Sequence, residues 1–409
     1  MTKAVDLSSL SSLKKFSSFF KTGEIERLAK ETGFINRSTS RLTGEAFLKM
    51  MSQHIAPDIE WSLNDQCDYL EKVFGITMSK QSLDERYHTF SVAFLKRCYA
   101  AILKSSLQNT TTGIASTFSN IYLTDATSFQ LPKHLAAFYQ SNGGDTSGSS
   151  IKIHQTVELL KFSIVDFVIT DGKDNDGNYW GNKNFELNGN CLWIADLGYF
   201  SWDTLTQIAI SGNYFLSRYK TGTSLYIKNS KGEYIGLDVE NYVQQMVAKK
   251  GVRNMTVYFG KEKTKGRLIC EQAPEDVKQQ RLSKYRQSHA TQSKKGKQWA
   301  MTAAKQLLCG YNLYITNAPE EKLPTAEIFS IYGLRWQIEL LFKIWKSLLF
   351  IDNVPPMNIC RFECFLYGRL IFILLSTELI SCIKSNIQDN EWDIEISEWK
   401  TMKLIKKTL

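Results

Sequence analysis

IYGLRWQIELLFKIWK, residues 331–346, is the stretch whose reading decides the fold. No Pro or Gly follows Gly333 within it, and Leu334, Ile338, Leu341 and Trp345 recur at three- and four-residue steps. That spacing predicts one amphipathic helix. Tyr332, Arg335, Glu339 and Lys346 fall on another face of it, because seven residues stop only about 20° short of two full turns. A phenol, a guanidinium, a carboxylate and an ammonium then share one side. By residue type alone this is also an ordinary solvated face, with Arg335 and Glu339 at ion-pair spacing.

Two segments upstream add carboxylates. Residues 120–125, NIYLTD, alternate as a strand does and close on Asp125, with DATSFQLP running on from it. Residues 191–196, CLWIAD, are almost wholly apolar, as expected of a strand buried on both faces, and close on Asp196, followed by LGYF. A lone Asp at a strand end is ordinarily a turn or capping residue. The set of three resembles something more specific. Tyr, two residues, Arg, three residues, Glu, six residues, Lys, with Trp336 directly after the Arg, resembles the signature of one branch of bacterial insertion-sequence transposases. These are DDE enzymes whose last acidic residue sits on such a helix. The flanks of Asp125 and Asp196 resemble the family's first- and second-Asp motifs.

The resemblance implies an α/β fold: a ribonuclease-H-like mixed-sheet core interrupted by a β-rich insertion, with helical N- and C-terminal regions. It implies that Asp125, Asp196 and Glu339 are catalytic and bind metal. Tyr332, Arg335 and Lys346, with Trp336 beside them, would hold the transferred DNA strand. Phosphodiester cleavage and joining need an activated oxygen nucleophile and a stabilised leaving oxygen, which two Mg²⁺ ions about 3.5–4 Å apart supply. Mn²⁺ would substitute. Hard carboxylate oxygens suit these ions, whereas guanidinium and ammonium donors suit phosphate. The implied partners are double-stranded DNA, as element terminal inverted repeats and as target, and a second copy of the chain. The rival readings are a catalytically inactive DNA-binding inhibitor of transposition and a structure-selective nuclease on the same core.

The charge distribution agrees with a polyanion partner. The 409 residues carry a net charge of +9, and residues 249–297 hold 14 Lys/Arg against 4 Asp/Glu, leaving the rest of the chain nearly neutral. Lys294, Lys295 and Lys297 end that segment and are expected to track phosphates. Some relatives place a Trp before the strand that precedes the signature helix. Here GYNLYITN, residues 310–317, has none, and Tyr311 is the candidate base-stacking residue.

Organisation follows from pattern. Residues 1–110 read as helical: one helix over 61–74, a break at Gly75, then a second helix capped by Ser79 and running through Leu83, Phe90, Phe94 and Cys98. This is the outline of a helix-turn-helix, equally of any helical hairpin. The resemblance favours recognition of element ends, with Lys80 and Arg86 (and Gln81) reaching DNA. A linker is expected at 108–113 and a flexible loop at 141–150. Paired strands are expected at 151–159 and 162–170, a helix at 201–210 and a strand at 214–219. The core is assigned to 111–220 and 311–350, the insertion to 221–310, and a helical region to 351–409.

Other chemistries are excluded. DGKDNDG is not a calcium loop, because placing Gly177 sixth puts Gly172 first and Lys183 twelfth, where carboxylates are required. No Walker sequence appears. Eight scattered Cys without a CxxC read as reduced thiols rather than a zinc site. The apolar run 365–383 contains Arg369 and Glu378 and reads as a buried helix, not a membrane span. The MTKAVDLSSLSSLKK start has no apolar signal core. The expectation is a cytoplasmic, nucleoid-associated protein.

Overall fold

A computed structural model describes residues 23–37, 40–53, 62–108, 117–142, 148–159, 163–183, 189–247, 253–293, 303–389, 397 and 400–404. All of the expected linker but Gln108, and the middle of the 141–150 loop, lie outside the described residues, as do Lys294, Lys295 and Lys297. The chain forms two compact units. One comprises 1–114, 125–174 and 337–409; the other comprises 115–124 and 175–336.

The first unit is helical around a small antiparallel sheet. β1 (Asn120–Gln130) enters it at Asp125. β2 (Ser150–Glu158) and β3 (Ser163–Asp171) pair antiparallel, with a bulge between Thr156 and Val157. The expected strand pair is therefore present. The N-terminal helices are Glu24–Glu31, Gly44–Gln53, Leu63–Phe74, Lys80–Asp84 and Thr89–Gln108. Ser62 and Asp65 form a reciprocal capping box before Leu63, and Gly75 ends that helix in the left-handed conformation at φ 65.

The helix expected from Ser79 through Cys98 is instead two. Ser79 caps it as expected, accepting from the Ser82 amide at 3.2 Å, but it stops at Asp84. His88 and Ser91 then start a new helix by reciprocal capping: the His88 amide donates to Ser91 Oγ at 3.0 Å. The break lets Tyr87 turn inward, 5% exposed, to bond Gln66.

The long helix Ile359–Asp389 completes this core, packing on the Gly44–Gln53 and Thr89–Gln108 helices. Gly368 sits where a Cβ would lie 2.2 Å from the Met51 carbonyl oxygen, so only glycine permits the approach. Arg369 and Glu378 lie in this helix, as expected of a buried rather than a membrane helix. Burial pushes the Arg369 guanidinium down to about 10, and it donates to the Phe350 carbonyl at 3.0 Å. Among the described residues no helix is long and apolar enough to cross a membrane.

The second unit is built on a mixed sheet. The first half of β1 runs parallel to β4 (Cys191–Ala195), and β4 runs parallel to β5 (Tyr214–Arg218). All five β4 residues are buried, as the apolar run requires. The sheet continues antiparallel through later strands: β6 (Leu225–Lys228), β7 (Tyr234–Gly236), β8 (Arg253–Phe259), β9 (Thr264–Gln272) and β10 (Tyr311–Thr316). The order is β1-β4-β5-β10-β9-β8-β6-β7. The 221–310 segment is thus β-rich as expected, but its strands lengthen the core sheet past β10 rather than forming a sheet of their own. The reason lies in β10, whose two edges bond β5 and β9.

An amide relay locks the strand ends. Asn213 Oδ1 accepts from the Cys191 amide at 3.0 Å, and Asn317 bridges the Phe215 amide at 2.8 Å and the Asn213 carbonyl at 2.9 Å. The helix Trp202–Ile210 covers the sheet, with Trp202 stacked on Phe259 at 4.7 Å.

Candidate active site

Asp196 follows the last residue of β4 and opens the short turn Leu197–Tyr199, yet its side chain makes no capping bond to that turn. The carboxylate is therefore not consumed by local structure. Tyr199, 1% exposed and packed on Trp180, fixes the turn from below.

Tyr332 lies in the same unit, in the helix Ile328–Gly333. It is 9% exposed and its ring packs 5.2 Å from Tyr314. Its hydroxyl is buried with no hydrogen-bond partner among the described residues. Burial pushes that hydroxyl up to about 12; Arg335 and Arg218 pull against the rise, while Asp196 and Tyr314 add to it. The field around Tyr332 thus joins Asp196, Arg335, Arg218 and Tyr314 in one neighbourhood. Arg218 is a residue the sequence reading passed over. It ends β5 and lies opposite Tyr314 in the β5–β10 register. The only sequence signal for it was a basic residue closing an apolar strand.

The first unit holds the other acidic candidates. Asp125 was expected to end its strand, but β1 continues to Gln130, so Asp125 sits within it. What ends near Asp125 is the parallel pairing. Thr124 and Ala195 are the last partners, and Asp125 within β1 and Asp196 just past β4 are the next residues in sequence. The Ala126 amide donates to Asp125 Oδ1 at 2.8 Å.

The signature stretch is not one helix. Helix Ile328–Gly333 stops, Leu334 and Arg335 form a turn, and helix Trp336–Ser347 begins. The amides of Leu334 and Arg335 bond three residues back, to Ile331 and Tyr332, each at 3.1 Å. Gly333, the weakest helix former in the stretch, sits at the break. The stripe is thereby divided. Tyr332, Arg335 and the half-exposed Trp336 belong to one unit; Glu339 and Lys346 belong to the other. Glu339 and Lys346 keep their seven-residue alignment on the second helix, which is anchored by buried Ile338, Phe342 and Trp345, with Trp345 against Phe167 of β3. Among the described residues, no three His, Cys, Asp or Glu side chains gather closely enough to hold a metal ion.

The remaining candidates are spread out. Tyr311 begins β10, half-buried, with its carbonyl accepting from Arg281 at 3.0 Å. Lys80 is exposed at the start of a short helix. Arg86 lines a cavity of about 940 Å³ together with Arg37, Arg41, His88 and Phe90, and among the described residues no Asp or Glu lines it. Arg37 and Arg41 gave no signal in the sequence, because only folding brings them beside Arg86.

The comparisons with known proteins agree with this architecture. The family model described as "Transposase DDE domain" matches residues 116–375. The chain is 34% identical over 405 residues to the transposase for insertion sequence element IS1151 of Clostridium perfringens, covering 95% of this chain and 84% of that protein. It is also 34% identical over 403 residues to the transposase for IS231B of Bacillus thuringiensis subsp. berliner, covering 93% and 82%. Among solved structures it is similar to the piggyBac transposase, seen by cryo-EM in a synaptic complex with hairpin DNA. The TM-score is 0.51 with 11% identity, covering 98% of this chain and 80% of that one. At that identity the likeness speaks for the fold, which is the ribonuclease-H-like mixed α/β arrangement of DDE enzymes.

Proposed function

Because the chain belongs to the insertion-sequence DDE transposases, we propose that it cuts the ends of its element and joins them to target DNA, with Asp125, Asp196 and Glu339 as the metal ligands. The observation that carries this reading is the β1–β4 register. Two parallel neighbours release their pairing at Thr124 and Ala195, and each continues with an Asp. The carboxylate of Asp196, unused by its own turn, is what a cation ligand requires.

The donor chemistry fits magnesium or manganese: three carboxylates, hard and anionic, with no thiolate or imidazole among them. Such ions, bound as a pair, supply charge stabilisation and a nucleophilic oxygen at neutral pH. Tyr332, Arg335 and Lys346 would act on the DNA. The buried Tyr332 hydroxyl, protonated well beyond neutral pH, offers a proton to a phosphate oxygen. Arg335 offers a fork and Lys346 a point charge. Trp336, exposed beside Arg335, and Tyr311 on β10 would border the strand end. Recognition of the terminal inverted repeats is assigned to the helices within residues 1–110, with Lys80 and Arg86. Strand transfer is assigned to two copies of the chain acting as a homodimer. Lys294, Lys295 and Lys297 would add phosphate contacts.

The test is nicking of paired element-end DNA by Glu339→Gln and Asp196→Asn, with a gel shift beside it. DNA binding should persist while nicking falls by orders of magnitude. Nicking at the wild-type rate by either folded variant would remove that residue from the ligand set.

A further inference from the structure

The last four strands of the second unit's sheet present a face that the proposed chemistry does not use. In antiparallel strands, registered partners point to the same side. Tyr226 of β6 is registered with Tyr258 of β8 and with Gly236 of β7. Tyr258 is also registered with Lys265 of β9, and Lys228 of β6 with Tyr234 of β7. One face of the sheet therefore carries Tyr226, Tyr234, Tyr258, Lys228 and Lys265. The opposite face carries Leu225 and Phe259, both buried, so at these positions the sheet packs on that side.

The rings and ammonium groups are organised. Tyr234, 42% exposed, meets Tyr258 edge-to-face at 5.0 Å. Lys228 Nζ stands 5.1 Å from the Tyr234 ring and 5.3 Å from the Tyr258 ring. Lys263, in the β8–β9 turn, lies 3.0 Å over the Tyr226 ring. Beside Tyr226 the floor is bare, since a Cβ on Gly236 would meet nothing within 4 Å. The nearby carboxylate of Glu233 is turned to Asn229 within its hairpin, at 2.8 Å.

We propose that this face is a platform for unpaired DNA bases. Flat π-faces with cations between them bind single strands without sequence preference, the bases stacking and the ammonium groups meeting phosphates. The gap over Gly236 admits a planar group against Tyr226. Lys228 and Lys265 at registered positions, with Lys263 in the turn beside them, give this end of the face a positive charge that matches a polyanion. The platform rests on the reading that the chain works on DNA, and it is separate from Tyr311 and from the signature stretch.

The experiment uses the full-length chain and a thymidine oligomer carrying one 2-aminopurine, beside a duplex of the same length. Wild-type protein should bind the single strand and quench the 2-aminopurine by stacking. Tyr234→Ala, at an exposed edge position, should weaken single-strand binding about tenfold and abolish the quench, with duplex affinity unchanged. Tyr234→Phe should keep both, because the ring and not the hydroxyl stacks. Lys228→Gln should weaken binding less and flatten its salt dependence. Unchanged single-strand affinity and quench in Tyr234→Ala and in Tyr258→Ala would overturn the platform. Element-end nicking, followed in the same samples, separates the two readings: wild-type nicking alongside unchanged single-strand binding rejects the platform alone.

Discussion

Lys346 Nζ donates to the Ser128 carbonyl at 2.9 Å, tying the helix that carries Glu339 to the strand that carries Asp125. A residue chosen from the sequence for phosphate binding thus also makes a structural bond, inside one compact unit. Lys346→Ala should lower stability by about 1 kcal/mol, the usual worth of such a bond. It should reduce strand joining more than first-strand nicking, while Lys346→Arg keeps most of both. Urea melts and a joining assay on pre-nicked ends check this. Equal stability of the alanine variant would mean that the bond contributes nothing.

Tyr332→Phe removes a buried hydroxyl that has no partner among the described residues. Stability should stay level or rise slightly, because no hydrogen bond is lost and a desolvated polar atom is. Joining should nevertheless fall about tenfold. A drop in both would show that the hydroxyl is structural.

Alkaline titration tests the same neighbourhood. Burial raises both Tyr332 and Tyr314 to about 12 from an ordinary value of 10. With the folded value above the unfolded one, the stability linked to these protons is complete below pH 10. It is lost as pH climbs from 10 to 12. Wild-type protein should therefore show a steeper fall in unfolding free energy over that window than Tyr314→Phe/Tyr332→Phe. Parallel curves for the two proteins would contradict the burial assigned to the rings.

Metal removal is the simplest assay of the acidic set. Nicking of element-end DNA should stop in EDTA and return with excess Mg²⁺ or Mn²⁺, while duplex binding survives chelation. Activity that persists under full chelation would exclude carboxylate-held ions from the reaction.

The arginine-lined cavity in the helical region should meet duplex backbone. Arg41→Gln and Arg86→Gln in the full-length chain should each flatten the salt dependence of end binding by up to about 0.9 per lost phosphate contact. Neither should alter which sequence is preferred if both contact phosphate alone. An unchanged slope would return the cavity to a solvated surface.

What the sequence by itself determined was local or periodic. CLWIA announced a strand buried on both faces, Gly75 closed one helix and Ser79 opened the next, and the spacing from Tyr332 to Lys346 carried the family. Each depends on neighbours within a few residues, where backbone geometry and side-chain period act directly. What only the tertiary structure decided involved partners far along the chain. The N-terminal helices close their core on the helix Ile359–Asp389, through an approach at Gly368 that no local pattern reports. β1 runs past Asp125 although its pairing with β4 stops there, because its other edge has β2 as a neighbour; a carboxylate does not end a strand. The insertion joins the core sheet because β10 has a second edge to satisfy. The signature helix breaks at Leu334 and Arg335 although its apolar period is unbroken. A hydrophobic stripe records which residues are buried, not whether one helix or two bury them.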